Sequence, residues 1–161
     1  MTQYRHRRRL RRKEIESIAS SISGAIGCDV FSVEDTVDMA ESGDHDIIMV
    51  NGSVLAFVID KVPFLTVRGF LKYEATRRFV TVDMGAVPFV CNGADVMAPG
   101  IVEADTGIQE GDLVWIRDVK NVKPLAVGLA LVSGQGMTQN KAGKAVKNLH
   151  YVGDKLWKLE E

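Results

Sequence analysis

The sequence predicts an α+β chain in two parts, a small α/β unit over residues 1–78 followed by a small β-barrel over residues 79–161. Three observations predict it. Ile15, Ile18, Ala19, Ile22 and Ile26 recur at the helical period, which marks one amphipathic helix near the start. Asn51-Gly52 separates two apolar runs, the strongest short-range signal for a β-hairpin with a type I′ turn. Ten of the fifteen glycines lie beyond residue 82, spaced among short apolar runs, as in a small barrel with frequent turns.

In chain order, the helix is expected over about residues 11–26, ending near Gly27. Residues 29–46 carry seven acids and read as a short strand followed by a solvated helix or loop. Residues 46–50 and 53–59 form the hairpin, 63–67 a third strand, and 68–78 a short helix leading to the boundary. In the second half, strands are expected at 80–82, 96–97, 113–116, 125–132 and, closing the barrel, 156–159, with a short helix or turn over Lys141 to Lys147.

Length and composition are those of a globular chain: 161 residues, 46% hydrophobic and 25% charged. Runs such as Val54 to Ile59 fall far short of the roughly 20 residues that span a bilayer, and no apolar stretch follows the basic N-terminus, so a cytoplasmic setting is expected. Cys28 and Cys91 stand apart from each other and from any His at ligand spacing, which argues against a disulfide framework or a zinc site. The acids of 29–46 lack the EF-hand spacing, so no metal and no cofactor is expected. Arg5, Arg7, Arg8, Arg9, Arg11, Arg12 and Lys13 bring seven positive charges with no acid among them, leaving −8 for the rest of a chain whose formal charge is −1. A basic arm of this kind is attracted to phosphate, and cations ahead of a helix oppose its dipole, so Arg7, Arg8, Arg9, Arg11 and Arg12 are candidate RNA contacts.

Residues 82–100 hold three glycines and two prolines in nineteen positions and almost no acid, base or nucleophile. Gly85 to Val90 reads as one or two helical turns with Pro88 in the first, and Asn92-Gly93 as a left-handed cap ending them. Glycines here either make tight turns or let backbone groups approach a ligand. Physical chemistry alone leaves both open.

From Val80 through Lys158, about half the chain, five blocks in order resemble a PUA domain, the RNA-binding module named after pseudouridine synthases and archaeosine transglycosylases. They are 82–87, 92–101, 110–114, 126–128 and 143–157, the last with its His150-Tyr151 and Asp154 to Trp157 elements. That closing block is similar to the malignant T-cell-amplified-sequence family and its archaeal relatives, in which a small α/β pre-PUA domain precedes the PUA domain. The resemblance implies a PUA pseudobarrel whose groove is formed by Gly93, Ala94, Asp95, Val96, Met97, Ala98, Pro99 and Gly100, with Gly85 and Ala86 opening the short helix. It also implies a place in translation initiation, reinitiation or recycling, with contacts to transfer RNA, the ribosome and a translation-factor partner.

Lys141, Lys144, Lys147, Lys155 and Lys158 face only Asp154 over eighteen residues, a local +4 that could track phosphates. His150 could stack on a base or pack in the barrel. Arg77 and Arg78, at the boundary, could serve the groove or an interdomain ion pair. Trp115 and Trp157 alternate as core residues do. Enzymatic readings fail: Gly143-Lys144 is followed by Ala145 and preceded at the required distance by Thr138, which breaks the phosphate-loop pattern, and His6, His45 and His150 are scattered. The sequence thus points to a non-enzymatic RNA-binding protein contacting transfer or ribosomal RNA, the alternatives being an accessory factor for an RNA-modifying enzyme or an adaptor docking a partner through its first half.

Overall fold

The structure, a computed structural model, describes residues 4–140 and 142–159. Two sheets organise it. The first is an antiparallel meander of five strands in sequence order: β1 (Arg5–Arg9), β2 (Val37–Glu41), β3 (Asp46–Val50), β4 (Ser53–Ile59) and β5 (Val62–Leu65). Helix α1 (Arg12–Ile26) turns Ile15, Ile22 and Ile26 into its core and ends at Gly27, whose φ of 77° is the left-handed cap that glycine supplies most cheaply. Asn51 and Gly52 both have positive φ, 52° and 91°, as the type I′ turn of the β3–β4 hairpin requires. Helix α2 (Val67–Lys72) is capped by the Thr66 side chain, which accepts the Gly69 N–H.

The second sheet has six strands: β6 (Phe79–Val82), β7 (Val96–Met97), β8 (Ile101–Ala104), β9 (Leu113–Asp118), β10 (Pro124–Ala130) and β11 (Lys144–Tyr151). Their order is β7-β11-β10-β9-β6-β8, with β6 and β9 parallel and the other pairs antiparallel, a near-closed barrel. Helix α3 (Val87–Val90) follows β6, and α4 (Gly134–Gln139) precedes β11. The fold is α+β, and no helix among the described residues is long and apolar enough to cross a membrane.

Four features depart from the sequence reading. The arginine run is not a projecting arm: Arg5 to Arg9 form β1, paired to β2 in the register Arg8 to Met39 and Arg9 to Asp38, and Arg11 and Arg12 open α1. The acidic segment carries its strand last, at β2, and no helix. Lys144 to Lys147 lies in a strand, because β11 must close the sheet between β10 and β7, while Trp157–Leu159 is a 3-10 turn. Strand β8 and helix α4 have no counterpart among the expected elements. In α4 the Ser133 hydroxyl accepts the Gly136 N–H and Met137 is fully buried, so capping and burial override two glycines. A Cβ on Gly134 would sit 2.0 Å from the Asp105 carbonyl oxygen, so glycine is required by close approach.

One apolar core fills the barrel, built on Val80, Val82, Val114, Ile116, Ala126 and Val146. The other belongs to the first sheet and yet includes Leu113, Trp115, Val127 and Leu159 from the second half, so the two sheets share a seam. There Phe70 and Trp115 stack at 5.0 Å with planes 14° apart, an arrangement worth about 0.5–1.5 kcal/mol beyond its buried area.

Candidate nucleic-acid interface

The segment from Asp83 to Gly100 is stapled into a platform on the barrel. The Asp83 N–H donates to the Gly100 carbonyl at 2.9 Å, and the Asp83 carboxylate accepts the Ala86 N–H at 2.9 Å, fixing the entry to α3. Gly93 ends α3 with φ 92°, its N–H donating to the Val90 carbonyl, and a Cβ there would lie 3.0 Å from the Tyr151 ring. Asn148 on β11 donates its side-chain amide to the Val90 carbonyl at 3.1 Å and the Ala94 carbonyl at 3.0 Å. Asp95 accepts the Asn148 backbone N–H at 2.9 Å and meets Lys144 Nζ at 3.3 Å. The N–H donor first, and Lys144 second, hold the Asp95 carboxyl below its ordinary range. The Ala98 N–H donates to the Gly143 carbonyl at 2.9 Å.

These bonds sort the expected groove residues. The side chains of Val96 and Ala98 are buried, and Asp95 is committed to the fold. Gly85, Ala94, Met97 and Pro99 face solvent, with Gly93, Gly100 and Ala86 half-buried between them. Lys144 and Lys147, both exposed, lie on β11 alongside, with Lys144 opposite Met97 in the β7–β11 register. Phe89 does not stand out in the sequence, yet it is 67% exposed on α3, with Met84 and Met97 also exposed. The available signal is helical phase: with Val90 buried in a four-residue helix, its neighbour about 100° round the axis faces outward.

Other expected contacts lie elsewhere. His150 is 1% exposed, so it cannot stack on a base. Its Nε2 accepts the Val67 N–H at 3.1 Å, which leaves Nδ1 as the protonated nitrogen, donating to Asp154 at 2.9 Å, while Phe57 packs edge-on at 5.5 Å. Burial alone would raise the Asp154 carboxyl, but His150 and the N–H groups of Trp157 and Tyr151 outweigh it and hold it low. Arg78 donates to the Leu113 carbonyl at 3.1 Å and lies 3.7 Å from Asp112. Arg77 is exposed, and its carbonyl accepts the Trp115 indole N–H at 2.9 Å. Both belong to the seam. Lys155 and Lys158 line a separate cavity of about 340 Å³ against Ser42 to His45. Lys141 lies outside the described residues.

Arg7, Arg8 and Arg9 of β1 are engaged within the fold. Asp38, whose side chain is 6% exposed, accepts from Arg7 Nε at 2.7 Å and also from Arg9 Nε. Burial pushes the Asp38 carboxyl up, and the two guanidinium groups more than reverse it. Arg8 forms two bonds to Glu14 at 3.2 and 3.0 Å, and Glu14 accepts the Arg11 N–H at 3.0 Å, so Arg8 steadies the first turn of α1 through the acid that caps it. Arg12 lies 3.6 Å from Glu16.

Comparison with known proteins decides the family. A PUA domain matches over residues 78–152. The chain is 30% identical to malignant T-cell-amplified sequence 1 of Rattus norvegicus over 132 residues, covering 79% of this chain and 72% of the relative. This chain belongs to the malignant T-cell-amplified-sequence family. It is also 40% identical to an uncharacterized protein of Methanocaldococcus jannaschii over 92% of this chain and 89% of that one. To translation machinery-associated protein 20 of Schizosaccharomyces pombe it is 35% identical, over 49% of this chain and 46% of the relative. Among solved structures, a conserved PUA domain protein from Thermoplasma acidophilum superposes with a TM-score of 0.84 at 28% identity, covering 96% of this chain and 99% of that one.

Proposed function

We propose that this chain is a non-catalytic RNA-binding protein of the cytoplasm, acting in translation by holding transfer RNA or ribosomal RNA against the α3 platform. The observation that carries the reading is one segment that exposes Phe89, Met97 and a glycine-edged backbone and is pinned through Asn148 and Asp95 to β11, the strand that carries the exposed cations Lys144 and Lys147. Phe89 offers a ring on which an unpaired base can stack, and the lysines offer charge to its phosphates. Family membership supports it, as does the association with the translation machinery that one relative's name carries. In this reading the working division falls at 78/79, residues 79–161 holding RNA and residues 1–78 serving to dock the small ribosomal subunit or a translation-factor partner.

Binding of transfer RNA with and without its single-stranded 3′ end tests the reading. A weaker complex without the 3′ end, weakened again by Phe89→Ala, supports it. Equal binding of both RNAs, indifferent to Phe89, rejects it.

A further inference from the structure

The β9–β10 hairpin ends in a tip, residues 119–123, that the proposed RNA site does not use. We propose that this tip is a second basic wall of the RNA groove, in which Lys120 and Lys123 hold backbone phosphates of the strand crossing α3. The inference rests on the RNA-binding reading of the platform and extends its contact surface.

Position is the first observation. The Val119 N–H donates to the Val82 carbonyl at 3.0 Å, directly before the Asp83 that opens the α3 platform. In the parallel β6–β9 pair Val82 lies opposite Asp118, so the tip begins level with the residue that leads into the platform. Helix α3 packs on β10, and in the sheet order β10 has β11 on one side and β9 on the other. Lys144 and Lys147 lie on β11, the strand that pins the platform through Asn148, and the tip borders the platform where β6 leads into Asp83.

Rigidity is the second. Asp118, 3% exposed, accepts the Asn121 N–H with its carboxylate, its carbonyl accepts the Val122 N–H at 3.1 Å, and its own N–H donates to the Lys123 carbonyl at 3.2 Å. These bonds hold Val122 at φ 54°, a left-handed conformation that a β-branched residue adopts only when its surroundings impose it. The outcome is a fixed tip with Lys120 and Lys123 exposed. Neither lysine forms an ion pair among the described residues, in contrast to Arg7, Arg8 and Arg9 of β1.

The test is transfer-RNA affinity against salt for Lys120→Glu with Lys123→Glu, beside Lys144→Glu with Lys147→Glu. Reversal at Lys61 and Lys72, on the other half, controls for long-range repulsion, and thermal melts check that each variant folds. Tip reversal is expected to lower affinity about fivefold at 0.1 M salt for each phosphate that is no longer neutralised, and to flatten the slope of log K by about 0.7 for each. An unchanged slope at the tip, with a reduced slope for the Lys144 and Lys147 variant, overturns the second wall and leaves the platform standing. An effect at Lys61 and Lys72 equal to that at the tip overturns it as well. If no pair changes binding, the RNA reading of the platform falls and the second wall with it.

Discussion

Strand β1 and the α3 platform are both basic, but they use their charge differently. On β1, Arg7 and Arg9 converge on one buried carboxylate and Arg8 on the acid that caps α1, so these three guanidinium groups are held in pairs within the chain. Around the platform, Lys147, Lys120 and Lys123 form no ion pair among the described residues, and Lys144 alone has a carboxylate partner. A run of like charges in sequence therefore says little about a ligand until its partners are located, because a residue some thirty positions away can absorb it. Arginine, with its forked donors, suits the fixed pairs of β1, and lysine, a mobile point charge, suits the role proposed for the platform.

The largest effect that can sharpen this contrast is expected from Asp38→Ala. Removing two charge-assisted bonds and stranding two guanidinium groups costs about 2–3 kcal/mol of stability in a denaturant melt, with transfer-RNA affinity unchanged in the folded fraction. Next comes Phe89→Ala, which removes an exposed ring and leaves stability unaltered, while RNA affinity falls by about 1–3 kcal/mol. A stability loss instead of an affinity loss there would break the contrast.

Acid provides a third test. The Asp38 carboxyl is held below its ordinary range in the folded chain, so its contribution is fully present above the unfolded pKa and is lost as pH falls through the folded value. Stability should hold from neutral pH to about 4 and decline below that, and Asp38→Asn should flatten the decline. The smallest effect is expected from Arg12→Ala, whose partner Glu16 is a solvent-exposed i,i+4 acid, at about 0.3–0.5 kcal/mol by thermal melt.

Much of the architecture is legible in the sequence. The isoleucine stripe of α1, the Asn51-Gly52 turn and the cap at Gly93 are local signals, and each appears where local chemistry requires it. What the sequence conceals depends on distant partners. Nothing near Arg7 announces Asp38, and nothing near His150 announces the Val67 N–H that draws it into the seam. Lys144 to Lys147 has helical composition, yet it is a strand because β7 and β10 await it. Of the candidate site, the glycine framework is legible from the PUA resemblance, whereas Phe89 emerges only from the phase of a four-residue helix, too short for periodicity to reveal.

In the proposed function RNA is held by the platform and the arginine strand serves the fold. Transfer-RNA affinity at two salt concentrations, for Lys144→Ala with Lys147→Ala and for Arg7→Gln with Arg9→Gln, tests it most directly. The lysine pair is expected to weaken binding and flatten the salt slope by about 0.7 for each phosphate no longer neutralised, and the arginine pair to lower the melting temperature and leave the slope intact. A slope lost with the arginines and kept without the lysines would contradict it.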